Sequence, residues 1–150
     1  MNAQAQTREV VRVTKLLPAS PEVVFDAWTD PESLAQWFLP GPIRVGPVEV
    51  DLRVGGRYRI VIVGEAEHVI GGEYLEIERP KRLAFTWLSA DTGSVETLVT
   101  IELDARLSGA GGSRTELVLT HEQLPDRQAA TRHEAGWSNI LDALGAHLAL

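Results

Sequence analysis

Two of the four histidines lie where an imidazole could take part in acid–base chemistry. His121 ends an alternating apolar run that contains Leu117 and Leu119, and His133 begins an apolar stripe at helical spacing. Both imidazoles are therefore expected to face one interior, where either could act as a general base toward a bound carbonyl compound. The alternative is that each imidazole hydrogen-bonds to backbone or solvent at the end of its element.

Other catalytic arrangements have no support in the sequence. Without cysteine there is no thiolate nucleophile and no sulfur-ligated metal. A Gly-x-Ser-x-Gly turn and a phosphate-binding P-loop are both missing. His121-Glu122 lacks the second histidine of a zinc-binding HExxH motif. We therefore expect no metal and no cofactor.

The aromatic residues point to binding, because ligand pockets are mostly apolar with a few orienting polar groups. The candidates for lining such a pocket are Trp37, Phe38, Tyr58, Tyr74, Phe85, Trp87 and Trp137. The same rings could instead fill a core, and a core position is the prediction for Phe25 and Trp28.

Charged residues between the apolar positions are predicted to face solvent. This applies to Arg57, Arg59 and Arg82, although one of them could bind a ligand carboxylate if a β-bulge reversed its direction. Solvent exposure is also the prediction for Glu76 and Glu78 and for His68 in a hairpin at 65–68.

Composition indicates one domain. The chain has 150 residues, 44% hydrophobic and 23% charged, which suffices for a single sizeable core. The 21 Asp and Glu against 14 Lys and Arg give a net charge of -7. Such a protein repels phosphate backbones and anionic lipid headgroups, so we expect neither nucleic acid nor a membrane as a partner. Residues 1–8 are predicted to be disordered and 9–150 to form the domain.

Targeting signals are not apparent in the sequence. The first ten residues lack a basic and then apolar leader, and no apolar run approaches the ~20 residues that cross a bilayer. We therefore expect the protein to be cytoplasmic.

The first third of the chain predicts a strand followed by two short helices. Residues 9–17 are rich in β-branched side chains and predict the strand. Ser20-Pro21 and Asp30-Pro31 each combine a helix N-cap with a proline suited to the first helical position. Residues 40–56 are dense in proline and glycine and predict a loop with a short edge strand.

The rest of the chain predicts strands and then one long helix. Strands without intervening helices indicate an antiparallel meander up to residue 121, with a turn or bulge at Gly71-Gly72 and a hairpin at 109–112. A one-residue slip near Gly71-Gly72 would exchange Tyr74 and Leu75 between the two faces. After Asp126 the spacing predicts a helix with one largely apolar face, formed by His133, Trp137, Ile140, Leu141, Leu144, His147 and Leu148. The fold class is therefore α+β.

An ordered set of motifs resembles one protein family. The motifs are Pro18 to Glu32, Gln36-Trp37-Phe38, Gly55 to Tyr58, Gly72 to Ile77, Pro80 to Trp87, Thr115 to His121 and Gly136-Trp137. They are similar to the bacterial homologues of the activator of heat-shock-protein-90 ATPase, in the START-like (SRPBCC) superfamily. The resemblance spans about residues 9–150.

The resemblance implies a helix-grip fold, in which a curved antiparallel sheet wraps around a long C-terminal helix and a cavity between them holds an apolar ligand. Ligand-binding positions would then be Trp37, Phe38, Tyr58, Ile60, Phe85, Trp87, Val99, Leu117, Leu119, His121, His133, Trp137 and Leu141.

Three functions follow from the resemblance. The first is binding of a small apolar or amphipathic molecule without catalysis. The second is a cyclase, aromatase or hydrolase-like activity in which His121 or His133 is the acid or base. The third is a stress protein that interacts with a chaperone. The eukaryotic co-chaperone uses an additional N-terminal domain for this, and we expect 150 residues to leave no room for such a domain. A monomer and a homodimer paired at the edge strand are both compatible with the sequence.

Overall fold

The computed structural model describes residues 8–38, 44–64, 66–92, 95–107 and 112–149, and within them it confirms the α+β helix-grip fold. The elements in chain order are β1 (Glu9–Leu17), α1 (Pro21–Thr29), α2 (Pro31–Trp37), β2 (Arg44–Val50), β3 (Arg57–Val63), β4 (Glu67–Glu78), β5 (Arg82–Trp87), β6 (Thr97–Leu107), β7 (Ser113–Leu124) and α3 (Arg127–Leu148). The predicted disorder of residues 1–8 and the predicted hairpin at 109–112 lie outside the described residues, apart from Arg8 and Gly112.

The helices begin where their caps predict. The Ser20 hydroxyl accepts a hydrogen bond from the backbone N–H of Val23 at 3.3 Å. The Asp30 carboxylate accepts one from the N–H of Glu32 at 3.2 Å. The long helix α3 has its own cap, since the Asp126 carboxylate accepts from Ala129 N–H at 2.8 Å. Each cap satisfies an amide that the first helical turn leaves without a partner.

The seven strands form one antiparallel sheet in the order β1-β7-β6-β5-β4-β3-β2. The predicted edge strand within 40–56 is β2, which lies at one edge while β1 lies at the other. Helix α3 packs on the sheet through Leu141 and Leu144, which are fully buried, and Lys15 of β1 forms an ion pair with Asp142 of α3 at 2.7 Å. The core between α3 and the sheet also contains Phe25 and Trp28, as predicted.

The prediction of a turn at Gly71-Gly72 is wrong, because both glycines lie inside β4. A Cβ atom on Gly72 would lie 1.8 Å from the carbonyl oxygen of Thr86 in β5, so the close approach of two strands requires glycine here. A register shift typical of a β-bulge does occur, but it lies between Tyr74 and Glu76, just after the predicted position. It leaves Tyr74 buried and Leu75 exposed.

The arginines predicted to face solvent do so. Arg57 and Arg59 are exposed and lie 3.8 and 3.6 Å from carboxylates on the neighbouring strands. Arg82 is partly exposed and bridges Glu76 and Glu102 at 2.9 and 3.0 Å. None of the three lines the cavity described below. Among the described residues, no helix combines the length and the apolar character needed to span a membrane.

Candidate functional site

A cavity of about 290 Å³ lies between α3 and the part of the sheet formed by β3, β4 and β5. Its inner wall is buried and apolar, with Phe38, Trp87 and Trp137 among its members, whereas its rim includes the exposed residues His68 and Arg132. The described residues that line it are Phe38, Ile62, His68, Val69, Ile70, Trp87, Ser89, Ala90, Arg132, His133, Gly136, Trp137 and Ile140. A largely apolar pocket with a few polar groups near its opening is the usual form of a small-molecule site.

The structure brings four of the predicted site residues to this cavity: Phe38, Trp87, His133 and Trp137. Tyr58, Ile60 and Phe85 line a separate void of about 20 Å³, which shares Phe38 and Trp87 with the cavity. The other predicted residues are buried and do not line the cavity: Trp37, Val99, Leu117, Leu119, His121 and Leu141.

Several lining residues were not predicted from the sequence. On the sheet side they are Ile62, His68, Val69, Ile70, Ser89 and Ala90, and on α3 they are Arg132, Gly136 and Ile140. Ile140 belongs to the predicted apolar stripe of the helix, so its signal was present. His68 was assigned to solvent, which its exposure supports, but it also stands at the rim of the cavity.

Aromatic rings form the inner wall and its support. The ring centres of Trp87 and Trp137 lie 4.9 Å apart, and Phe38 is 6.2 Å from Trp87 and 6.4 Å from Trp137. Behind them Trp28 lies 6.3 Å from Trp137. Such contacts fix the ring orientations, so the wall is largely preformed.

His121 is the centre of a buried hydrogen-bonded chain. The Nε1–H of Trp137 donates to Nδ1 of His121 at 3.0 Å, so the proton of the neutral ring lies on Nε2. That Nε2–H donates to the Thr97 hydroxyl at 2.7 Å, and the hydroxyl donates to the carbonyl oxygen of Trp87 at 2.8 Å. The chain ties β6, β7 and α3 to the strand that carries Trp87.

Burial, with a smaller contribution from the neighbouring His133, lowers the pKa of His121 from the ordinary value near 6.5 to about 3. The ring is therefore neutral at physiological pH. Both of its nitrogens are engaged, so neither offers a lone pair to a ligand in this arrangement. His121 positions Trp137 and Trp87, which are two of the cavity's inner rings.

His133 has a different environment. Its ring lies 4.9 Å from that of His121 and is nearly perpendicular to it. Nδ1 donates to the carbonyl oxygen of Ala129 at 2.7 Å, which leaves Nε2 without a hydrogen-bond partner among the described residues. Because His133 lines the cavity, it is the imidazole of the pair that a ligand can reach. A catalytic role for a histidine here stays a prediction, and the geometry restricts it to His133.

Gly136 leaves one wall of the cavity open. It lies in the middle of α3, and a Cβ atom built there would meet no atom of the described residues within 4 Å. Glycine inside a helix lowers stability relative to alanine by roughly 0.5–1 kcal/mol, and here no close approach of backbone demands it. A glycine within a helical apolar pattern was the signal in the sequence that could have identified this wall.

Metal chemistry has no candidate site in the part of the chain that the structure describes, since no three His, Asp or Glu side chains come together there. Among the described lining residues, the groups that the cavity offers are its apolar wall, two imidazoles, one guanidinium and one hydroxyl.

Comparison with known proteins places the chain and its fold in a family. Residues 18–149 match the family described as Activator of Hsp90 ATPase homolog 1-like protein. The chain belongs to this family. The solved structure of protein CV1439 from Chromobacterium violaceum is similar, with 30% identity, a TM-score of 0.79 and coverage of 93% of this chain and 96% of that one.

A second similar structure is that of the AHSA1 protein from Silicibacter pomeroyi. That AHSA1 protein has 28% identity and a TM-score of 0.77, and the match covers 94% of this chain and 98% of that one. No curated protein matches the chain. The comparisons therefore show the Activator of Hsp90 ATPase homolog 1-like family and its START-like fold.

Proposed function

We propose that this START-like domain binds a small amphipathic molecule in the cavity between α3 and the sheet. The proposal rests on one observation above all, which is the cavity of about 290 Å³ between buried aromatic rings and an exposed polar rim. That volume is just below the ~300–1,000 Å³ range of ligand pockets, so it suits a small occupant. An occupant would bury its apolar part against Trp87 and Trp137 and keep its polar part at the rim.

Gly136 supports the same proposal. Glycine at this position lowers the stability of the helix, and no packing contact with the described residues requires it. An open wall would give it a role, because Gly136 lines the cavity and a Cβ atom there would enter open space.

Filling the cavity tests the proposal. In the Gly136→Leu variant we expect the affinity for phenylnaphthylamine, a neutral apolar fluorescent probe, to fall at least about tenfold, because the leucine and the probe would compete for one space. Energy transfer from tryptophan to the probe measures the binding, since Trp87 and Trp137 line the cavity.

The matched control is Ala135→Leu, which adds a leucine at the neighbouring position of α3, where the side chain is exposed and does not line the cavity. We expect this variant to bind the probe as the wild-type protein does. Equal affinity of the wild-type protein and Gly136→Leu would show that the probe binds elsewhere, and the proposed function would be wrong.

A further inference from the structure

We infer that the ligand of this cavity carries a neutral hydrogen-bond donor, a hydroxyl or N–H group, that donates to Nε2 of His133; the inference rests on the proposed function and specifies the ligand's class. The first ground is the orientation of the ring. Nδ1 of His133 donates to the carbonyl oxygen of Ala129 at 2.7 Å, and a carbonyl can only accept, so the proton of the neutral ring lies on Nδ1. Nε2 of the neutral ring therefore carries a lone pair and is an acceptor.

The free nitrogen faces the space inside the cavity. The His133 side chain is buried, with 8% of its surface exposed, and it lines the cavity. Its Nε2 has no hydrogen-bond partner among the described residues, yet it is not enclosed by protein as the unpartnered indole nitrogens of Trp28 and Trp87 are. Nε2 is therefore reached from the cavity, and a ligand can contact it without moving the ring.

Burial distinguishes His133 from other polar side chains of the lining. His68 is exposed and Ser89 is half-buried, so a ligand that bonds to them replaces water and gains little. A buried acceptor has lost most of its hydration, so a donor that reaches it contributes more. The indole N–H of Trp87 is also buried, but its nitrogen is enclosed and offers no surface to a ligand.

The position of His133 suits an amphipathic ligand. It lies one helical turn before Trp137 of the inner wall and directly after Arg132 of the rim. A donor group at this point leaves the apolar body of the ligand against the aromatic rings. A charged donor such as an ammonium group would lose its hydration beside the buried rings of Trp87 and Trp137, so the group is assigned as neutral.

Two competitors of the same shape test this inference at about pH 8, where imidazoles and naphthols are both mainly neutral. 2-Naphthol has a hydroxyl donor where 2-methylnaphthalene has a methyl group. Displacement of phenylnaphthylamine measures the affinity of each, and the ratio of the two does not depend on the affinity of the probe. In the His133→Leu variant we expect this ratio to shift about fivefold against the naphthol, because one hydrogen bond contributes on that order.

The variant and its control locate the effect. Leucine has a volume similar to that of histidine and no acceptor, so the binding of 2-methylnaphthalene also shows that the cavity of His133→Leu is intact. Ile140→Val is the matched control, because it changes the lining of the cavity and none of its polar groups, and it should keep the wild-type ratio. A wild-type ratio in His133→Leu would overturn the inference while leaving ligand binding in place.

Nitrogen NMR of the imidazoles tests the same contact in the wild-type protein, so the result does not depend on how a variant folds. The signal of a lone-pair imidazole nitrogen moves to lower frequency when that nitrogen accepts a hydrogen bond. We expect saturating 2-naphthol to move the Nε2 signal of His133 in this direction several-fold further than saturating 2-methylnaphthalene does. Equal shifts with the two compounds would overturn the inference. Failure of the wild-type protein to bind phenylnaphthylamine or either competitor would overturn the proposed function itself, and this inference with it.

Discussion

The His121→Ala variant is expected to lose about 3–5 kcal/mol of unfolding free energy. The imidazole is fully buried, so its removal leaves a cavity in the core. It also leaves the indole N–H of Trp137 without its acceptor and the Thr97 hydroxyl without its donor. Urea denaturation followed by tryptophan fluorescence measures the change, with His68→Ala as the control, since that exposed side chain should contribute within about 0.5 kcal/mol.

The depressed pKa of His121 gives a second expected result, in the dependence of stability on pH. The folded-state pKa is about 3 and the ordinary value near 6.5, so between these values the unfolded chain binds a proton that the folded chain does not. The contribution of His121 to stability is therefore complete above pH 6.5 and decreases by about 1.4 kcal/mol for each pH unit below it.

The His121→Phe variant isolates this effect, because it keeps a ring in the core and cannot titrate. Between pH 7 and 5 the difference in unfolding free energy between wild type and variant should shift by about 2 kcal/mol in favour of the variant. Parallel pH profiles of the two proteins would contradict a neutral, desolvated His121.

The Gly72→Ala variant is the other change with a large expected effect, a loss of about 3 kcal/mol or more. The new methyl group would lie 1.8 Å from the Thr86 carbonyl oxygen and 2.6 Å from its carbon. Thr86 cannot easily retreat, because its carbonyl accepts from the Tyr58 hydroxyl at 2.6 Å and its own hydroxyl accepts from Glu73 N–H at 2.8 Å. Chemical denaturation again measures the loss.

The same substitution at Gly136 is the matched control and should have the opposite sign. The methyl group of Gly136→Ala would meet no described atom within 4 Å, and alanine lowers the conformational entropy that the unfolded chain loses on forming the helix, so we expect a gain of about 0.5–1 kcal/mol. If alanine were tolerated at position 72, the close approach of β4 and β5 would not be the reason for a glycine there.

Local signals in the sequence predicted the elements well. Ser20-Pro21 and Asp30-Pro31 fixed two helix starts, because a cap and its amide lie within three residues of each other. Gly71-Gly72 was misassigned in part because its reason is not local. The neighbour that excludes a side chain at Gly72 is Thr86, fourteen positions away, and no turn pattern carries that information.

The candidate site was predictable only in part, for a similar reason. Periodicity gives the face on which a side chain lies, but not its depth. Leu117 and Leu119 share the inward face of β7 and are fully buried away from the cavity, whereas Phe38 and Trp87 reach it. The lining contributed by Ser89 and Arg132 depends on how the end of β5 meets α3, which the chain determines only once it is folded.

The most direct test of the central claim is to follow the indole N–H signals of the four tryptophans by proton–nitrogen NMR while phenylnaphthylamine is added. Trp87 and Trp137 line the cavity, and Trp37, whose N–H donates to the Ala27 carbonyl at 3.1 Å, does not. Binding in the cavity predicts saturable shifts of the Trp87 and Trp137 signals with little change at Trp37. Saturable binding that leaves the signals of Trp87 and Trp137 unmoved would contradict the claim that this cavity is the binding site.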